Sequence, residues 1–183
     1  FKKTKAAILE FNPDVVVMID YPGFNLRMSK WCKENNFKVV YYISPSVWAW
    51  HKSRIETIRK YTDVMICILP FEEEFYKKHN VNAVYLGNPI YDKIKTFKKD
   101  ETFKSRYLIT KPILALLPGS RIQEIEKILP TMIEAAKAFS EKYEVVIAKA
   151  DNLNEVIYNK QLSNNNYKLI SNDYYNILAN ADL

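Results

Sequence analysis

Val15-Val16-Val17-Met18-Ile19-Asp20-Tyr21-Pro22-Gly23-Phe24-Asn25 joins a five-residue apolar run to a polar, turn-forming segment. The run is rich in β-branched side chains, whose restricted χ1 suits a pleated strand. It is apolar without alternation, which predicts a strand buried on both faces, as in a parallel sheet. The turn residues after it open a helix over residues 25–35, where Leu26, Met28, Trp31 and Cys32 keep a helical period and Asn35-Asn36 forms the stop.

The same unit repeats outward. Strands are expected at 39–43, 64–69 and 83–86, with helices at Arg54–Tyr61 and Pro70–Lys78 between them. The second of these helices has glutamates in its first turn and lysines in its last, and pairs Glu73 with Lys77 and Glu74 with Lys78 at i,i+4. Residues 90–111 are polar and read as a connector with a short helix. The alternation then restarts with a strand at 113–117 and a helical region from Arg121, which Pro130 kinks or splits. A strand at 144–148, a helix at 154–160, a strand at 167–170 and a helix at 174–180 follow, and Ala181-Asp182-Leu183 reads as the start of another strand. Alternation of this kind predicts an α/β fold with parallel sheets. The expected parts are a first domain over 1–90, a connector over 91–111 and a second domain over 112–183.

Composition narrows the function classes. Of 183 residues, 48% are hydrophobic, enough for a packed core. Every apolar run is far short of the ~20 residues a membrane span needs. Phe1-Lys2-Lys3-Thr4-Lys5 has no apolar stretch behind it and is not a secretory signal. The missing initiator Met reads as a portion of a longer chain. Cys32 and Cys67 lack metal-ligand spacing and read as reduced core thiols, which favours the cytoplasm. Only three glycines occur, Gly23, Gly87 and Gly119, too far apart for either glycine-rich nucleotide loop. No His/Cys cluster, Ser-His-Asp set or nucleic-acid-binding signature is present, so no metal, cofactor or nucleic-acid partner is expected. The net charge of +6 lies in residues 1–60, which hold 11 basic and 5 acidic groups. That excess fits a phosphorylated ligand or anionic lipid, or simply a lysine-rich solvated surface.

Ligands of open parallel sheets collect at the carboxyl ends of strands. The first strand delivers Asp20, either a partly desolvated general base or the anchor of an Asx-turn, and Asn25, which can cap the next helix. The second delivers Ser44-Pro45-Ser46-Val47-Trp48-Ala49-Trp50-His51, where two tryptophans in a loop read as a sugar or acyl site, a membrane-facing rim, or lids on the core. His51 reads as a solvated loop histidine. The restart strand delivers Pro118-Gly119-Ser120-Arg121-Ile122-Gln123-Glu124. Ser120 and Gln123 suffice for a capping box, yet Arg121 in the first turn is electrostatically unfavourable without an anion, which points to a phosphate.

Ile19-Asp20-Tyr21-Pro22-Gly23-Phe24-Asn25, Tyr42-Ile43-Ser44-Pro45-Ser46-Val47-Trp48-Ala49-Trp50, Leu69-Pro70-Phe71-Glu72, Gly87-Asn88-Pro89 and Leu116-Leu117-Pro118-Gly119-Ser120-Arg121 resemble, in order and spacing, the motifs of the lipid-A-disaccharide synthase family. The resemblance runs over essentially the whole chain. It implies a GT-B fold of two Rossmann-like domains, both incomplete here. It implies inverting transfer of 2,3-diacylglucosamine from UDP-2,3-diacylglucosamine to lipid X (2,3-diacylglucosamine 1-phosphate), at the cytoplasmic face of the inner membrane and without a catalytic metal. Asp20 matches the family's essential Asp. Gly119, Ser120, Arg121 and Glu124 fall to the UDP-phosphate side, with Arg121 also stabilising the leaving group; Phe24, Asn25, Ser44, Trp48 and Trp50 fall to the acceptor and lipid side. Gly23 stands where the family usually has Asp, and Asn88 where it often has His. The family's first glycine- and serine-bearing motif and its Ser-Gly-Thr…Glu donor motif lie outside the chain, so the 183 residues alone are expected to be inactive. The competing readings are another GT-B enzyme, such as a UDP-GlcNAc epimerase or a soluble-substrate glycosyltransferase, and a non-catalytic α/β anion-binding module.

Overall fold

The computed structural model describes residues 1–50, 52–162 and 167–183; His51 lies outside the described residues. The chain divides into two compact units, Phe1–Thr96 and Phe97–Leu183.

The first unit runs α1 (Lys2–Phe11), β1 (Val15–Ile19), α2 (Pro22–Glu34), β2 (Lys38–Tyr42), α3 (Arg54–Tyr61), β3 (Val64–Cys67), α4 (Pro70–Lys78), β4 (Ala83–Tyr85) and α5 (Pro89–Thr96). Its four strands are parallel in the order β1-β2-β3-β4. When each strand neighbours the next, right-handed crossovers put every connecting helix on one face. The core follows that rule. Met18, Val39, Tyr41, Met65, Cys67 and Ala83 occupy one face of the sheet and pack with Leu26, Met28 and Cys32 of α2, Ile55 and Ile58 of α3, and Tyr76 of α4. On the other face Val17 and Ile19 are 54% and 57% exposed. The expectation that β1 is buried on both faces is therefore corrected: its side chains are apolar on both sides, but the helices cover only one. The N-terminal helix α1 is an element the sequence reading missed; it is anchored by Ile8 on the core and ends at Asn12 in the left-handed conformation.

The second unit contains α6 (Phe103–Arg106), β5 (Ile113–Leu116), α7 (Ile122–Lys137), β6 (Glu144–Lys149), α8 (Glu155–Leu162), β7 (Lys168–Ser171) and α9 (Tyr174–Asn180). Its sheet is parallel in the order β5-β6-β7. Ile125, Leu129, Ile133 and Ala136 of α7 recur at helical spacing and cover Leu114, Leu116, Val145 and Ile147 on one face. Phe103, Ile109 and Ile177 cover Ile113, Val146 and Ile170 on the other. After β7 the chain returns through α9 to the free edge of β5. There the Leu183 amide donates to the Ile113 carbonyl at 3.1 Å and the Ala115 amide to the Leu183 carbonyl at 2.9 Å. β5 is thus the point where the winding reverses, the place where doubly wound sheets open a ligand crevice. Pro130 sits inside α7, which continues through it to Lys137, so no second helix begins there.

The polar stretch between the sheets carries helix α6, and Phe103 within it is fully buried. Lysines around it face water while one aromatic ring anchors it to the second unit's core. Phe103→Ala is expected to destabilise that unit by about 3–5 kcal/mol, the usual cost of emptying a buried aromatic site. Urea denaturation checks this; a loss below about 1 kcal/mol would show that the ring is not a core anchor.

Candidate functional site

The carboxyl ends of β1, β2 and β3 surround a cavity of about 420 Å³ lined by Asp20, Ser44, Trp50, Arg54 and Glu72, among others. The turns that form it are strained. Asp20, Tyr21 and Ile43 all have positive φ, at 47°, 44° and 64°, and non-glycine residues persist in that region only when their surroundings hold them there. For Asp20 the restraints are visible: its carbonyl accepts from the Tyr41 hydroxyl at 2.6 Å and from the Asn25 amide at 2.7 Å, and Asn25 also donates to the Ile19 carbonyl. Asn25 thus holds the turn from inside α2, and the helix starts after Tyr21. The expectation of a partly desolvated Asp20 is corrected too: the residue is exposed, because the uncovered face of β1 lies beside it.

Glu72 organises the opposite wall. It is 1% exposed, and its carboxylate accepts from the Ser44 hydroxyl at 2.6 Å, the Trp48 indole N–H at 3.1 Å and the Leu69 amide at 3.1 Å. One side chain ties the loop after β2 to the start of α4. Trp48 also meets Phe71 edge to face at 5.1 Å, and the Tyr76 hydroxyl donates to the Pro45 carbonyl at 2.6 Å. Burial, reinforced by Glu72, pushes the Tyr76 phenol well above its ordinary pKa. Burial does the same to Tyr41, with Asp20 adding to the rise and Arg54 opposing it. Both phenols therefore remain protonated donors. Burial also pushes the Cys67 thiol up to about 11, against the Ser44 hydroxyl that favours its thiolate.

Among the residues singled out in the sequence, Asp20, Ser44 and Trp50 line this cavity; Phe24, Asn25 and Trp48 are not among its lining residues. Phe24 stacks on Tyr21 and meets Phe1 edge to face. Trp50 is 70% exposed, an accessible aromatic surface rather than a core lid. Sequence reasoning missed Glu72 and Arg54. The signal for Glu72 was a carboxylate two residues after the helix-opening Pro70, where it can accept from the residue before the helix. The signal for Arg54 was the one applied to Arg121, a cation at the start of a helix.

A second cavity, of about 590 Å³, opens beyond β5, β6 and β7 and is lined by Gly119, Ser120, Arg121, Glu124, Lys149, Asp151, Asn172 and Tyr174, among others. The cap differs from the sequence expectation. Arg121 is the N-cap, and Glu124, not Gln123, supplies the acceptor: one oxygen takes the Ser120 amide at 2.8 Å and the Arg121 amide at 3.1 Å, and the other takes the Arg121 guanidinium at 2.6 Å. The anion at this helix start is the protein's own. Gly119 makes room for it; its φ is +113°, and a Cβ there would lie 2.4 Å from a Glu124 carboxylate oxygen.

The Ser120 amide first, then the Arg121 side chain, hold the Glu124 carboxyl below the usual carboxylate range. Its capping contribution is accordingly complete above the ordinary glutamate pKa of ~4.3 and is lost as pH falls through the depressed native value. A carboxyl-carbon NMR titration is expected to give Glu124 a lower midpoint than that of an unperturbed glutamate. A midpoint at or above ~4.3 would show that the amides are not held.

The model of the lipid-A-disaccharide synthetase family matches residues 1–183. Among curated proteins, the chain is 46% identical over 136 residues to the lipid-A-disaccharide synthase of Myxococcus xanthus, covering 73% of this chain and 36% of the relative. It is 47% identical over 139 residues to that of Coxiella burnetii, covering 75% and 35%. It is 41% identical over 161 residues to that of Persephonella marina, covering 84% and 42%. The matched stretch is thus well under half the length of each relative. Among solved structures, UDP-GlcNAc 2-epimerase from Neisseria meningitidis bound to UDP-GlcNAc superposes with a TM-score of 0.64 at 14% identity, over 98% of this chain and 56% of that one. A putative UDP-N-acetylglucosamine 2-epimerase from Listeria monocytogenes gives 0.63 at 17%, over 98% and 54%. At such identities the likeness concerns the fold, which is α/β with parallel sheets of the GT-B kind.

Proposed function

The chain belongs to the lipid-A-disaccharide synthetase family, and from that membership we propose that the whole protein is an inverting glycosyltransferase. In the proposed reaction, 2,3-diacylglucosamine passes from UDP-2,3-diacylglucosamine to the 6-hydroxyl of 2,3-diacylglucosamine 1-phosphate, giving the β-1,6-linked disaccharide 1-phosphate and UDP. The relatives that bear the synthase name are 41–47% identical to this chain, whereas the epimerases share its fold at 14–17%; the epimerase reading is not favoured.

The observation that carries the mechanism is the exposed Asp20 carboxylate at the end of β1, lining a cavity and held on a left-handed backbone by Tyr41 and Asn25. Asp20 takes the proton of the acceptor's 6-hydroxyl as that oxygen bonds to the anomeric carbon. The bond from that carbon to the diphosphate breaks, and its electron pair leaves with UDP. Arg121 and the Ser120 loop stabilise the departing diphosphate, with the guanidinium exchanging its Glu124 partner for phosphate oxygens. Ser44 and Trp48 shape the acceptor wall through Glu72, Phe24 and Asn25 hold the Asp20 turn, and Trp50 contacts acyl chains.

Among the described residues no helix is long and apolar enough to cross a membrane. We place the protein peripherally on the cytoplasmic face of the inner membrane, on the strength of the exposed Trp50 and Phe71 at 70% and 50% and the basic excess of residues 1–60. Aromatic rings and lysines are the side chains that anionic lipid interfaces attract.

Asp20→Asn in the full-length protein is expected to lower kcat by roughly 10²–10⁴-fold, the usual contribution of a general base, while UDP affinity by calorimetry stays within about twofold. Wild-type turnover in the variant would remove Asp20 from the chemistry. Anion binding by a wild-type protein that transfers no sugar would favour a binding module.

A further inference from the structure

Arg54 lines the first unit's cavity, where it is the one cation among the described lining residues. It is half-buried, and among the described residues its guanidinium has no hydrogen bond or ion pair. The carboxylates around it are committed or apart. Glu72 holds Ser44, Trp48 and Leu69; Glu56, on the same helix, pairs with Arg59; and Asp20 lies in the cavity beyond ion-pair distance. Arg54 and Asp20 nevertheless line the same cavity, and they act in opposite senses on the Tyr41 phenol. The contrast with Arg121 is direct: that arginine also stands at a helix start and also lines a strand-end cavity, but its own Glu124 neutralises it.

A planar guanidinium with five N–H donors and no partner, at the wall of a cavity, matches a phosphate or carboxylate brought from outside. On the reading proposed above, the acceptor carries a phosphate on its anomeric carbon and reacts at its 6-hydroxyl. Those groups are carried on the two carbons that flank the ring oxygen, near each other but distinct, so a base and a phosphate anchor must share a cavity without pairing with each other, as Asp20 and Arg54 do. We propose that Arg54 binds the phosphate monoester of the acceptor and so makes the enzyme select a phosphorylated monosaccharide. The inference rests on the acceptor-side reading of this unit. A phosphate of the donor offers the same chemistry, and the test separates the two.

The experiment is steady-state kinetics on the full-length protein, wild type against Arg54→Gln and Arg54→Lys, with two acceptors: 2,3-diacylglucosamine 1-phosphate and the same lipid without its phosphate. Losing charge-assisted hydrogen bonds to a phosphate is expected to raise KM for the phosphorylated acceptor roughly 10- to 100-fold in Arg54→Gln. The preference for that acceptor over the unphosphorylated one should shrink by the same factor, the donor KM should stay within about twofold, and Arg54→Lys should recover part of the loss. A variant that keeps the wild-type preference, loses both acceptors equally, or shows its defect in the donor KM overturns the proposal while leaving the transferase reading intact. A wild-type protein that glycosylates neither acceptor overturns that reading, and the role of Arg54 with it.

Discussion

The buried carboxylate of Glu72 is the interaction on which the first unit's site depends. A carboxylate withdrawn from water is costly unless its oxygens are occupied. Here three donors occupy them, from the loop after β2 and from the residue before α4. The arrangement satisfies both sides at once. The Ser44 hydroxyl and Trp48 indole gain an acceptor inside a largely apolar wall, and a free amide at the start of α4 is capped. Besides this carboxylate, the loop from Ser44 to Trp50 is joined to α4 by the Tyr76 hydroxyl, by the Trp48–Phe71 contact and by Val47, which is buried in the same core cluster as Tyr76. That loop forms one wall of the cavity that Asp20 and Arg54 enter from elsewhere, so the position of a single glutamate sets the shape available to a ligand.

The same device recurs in the second unit with a different outcome. Glu124 caps α7 as Glu72 caps α4, through the amide of the residue before the helix. Glu72 is buried beneath neutral donors; Glu124 is at the surface and draws in a guanidinium. The first carboxylate is locked, because releasing its donors would leave a charge that is 1% exposed, and the buried Ser44 hydroxyl, without partners. The second is exchangeable, because water can replace each partner it gives up. On the proposed reaction, an incoming diphosphate competes with Glu124 for Arg121, and it does so at a solvent-exposed pair whose own strength is small.

The alternation of strands and helices was legible because β-branched runs and helical periods differ in kind, and Pro70 marks a helix start that the structure bears out. The covering of β1 was not legible. Val15, Val17 and Ile19 look like core residues from any local window, and only the strand order shows that the helices lie on the other face. Over 90–111 the polar composition was legible but the anchor was not: one buried ring, Phe103, ties the segment to a core in spite of its solvated lysines. Gly119 was legible as a backbone requirement but not for its cause. The neighbour it must admit is Glu124, five residues on, and only the folded cap brings them together.

Sequence reasoning took a cation in the first turn of a helix as a sign that an anion is near, and the two arginines at the strand ends show what that rule lacks. Arg121 obeys it through a carboxylate three positions along its own helix, a pairing that sequence spacing permits and the extended N-cap backbone realises. Glu56 lies only two positions from Arg54, a spacing that puts side chains on different faces of a helix; it pairs with Arg59 instead. The rule therefore separates into two cases by the location of the nearest unclaimed carboxylate. Where one lies three or four residues ahead, the charge is settled within the helix. Where it does not, the charge stays available to the cavity, and among the described lining residues of the first unit that condition singles out Arg54.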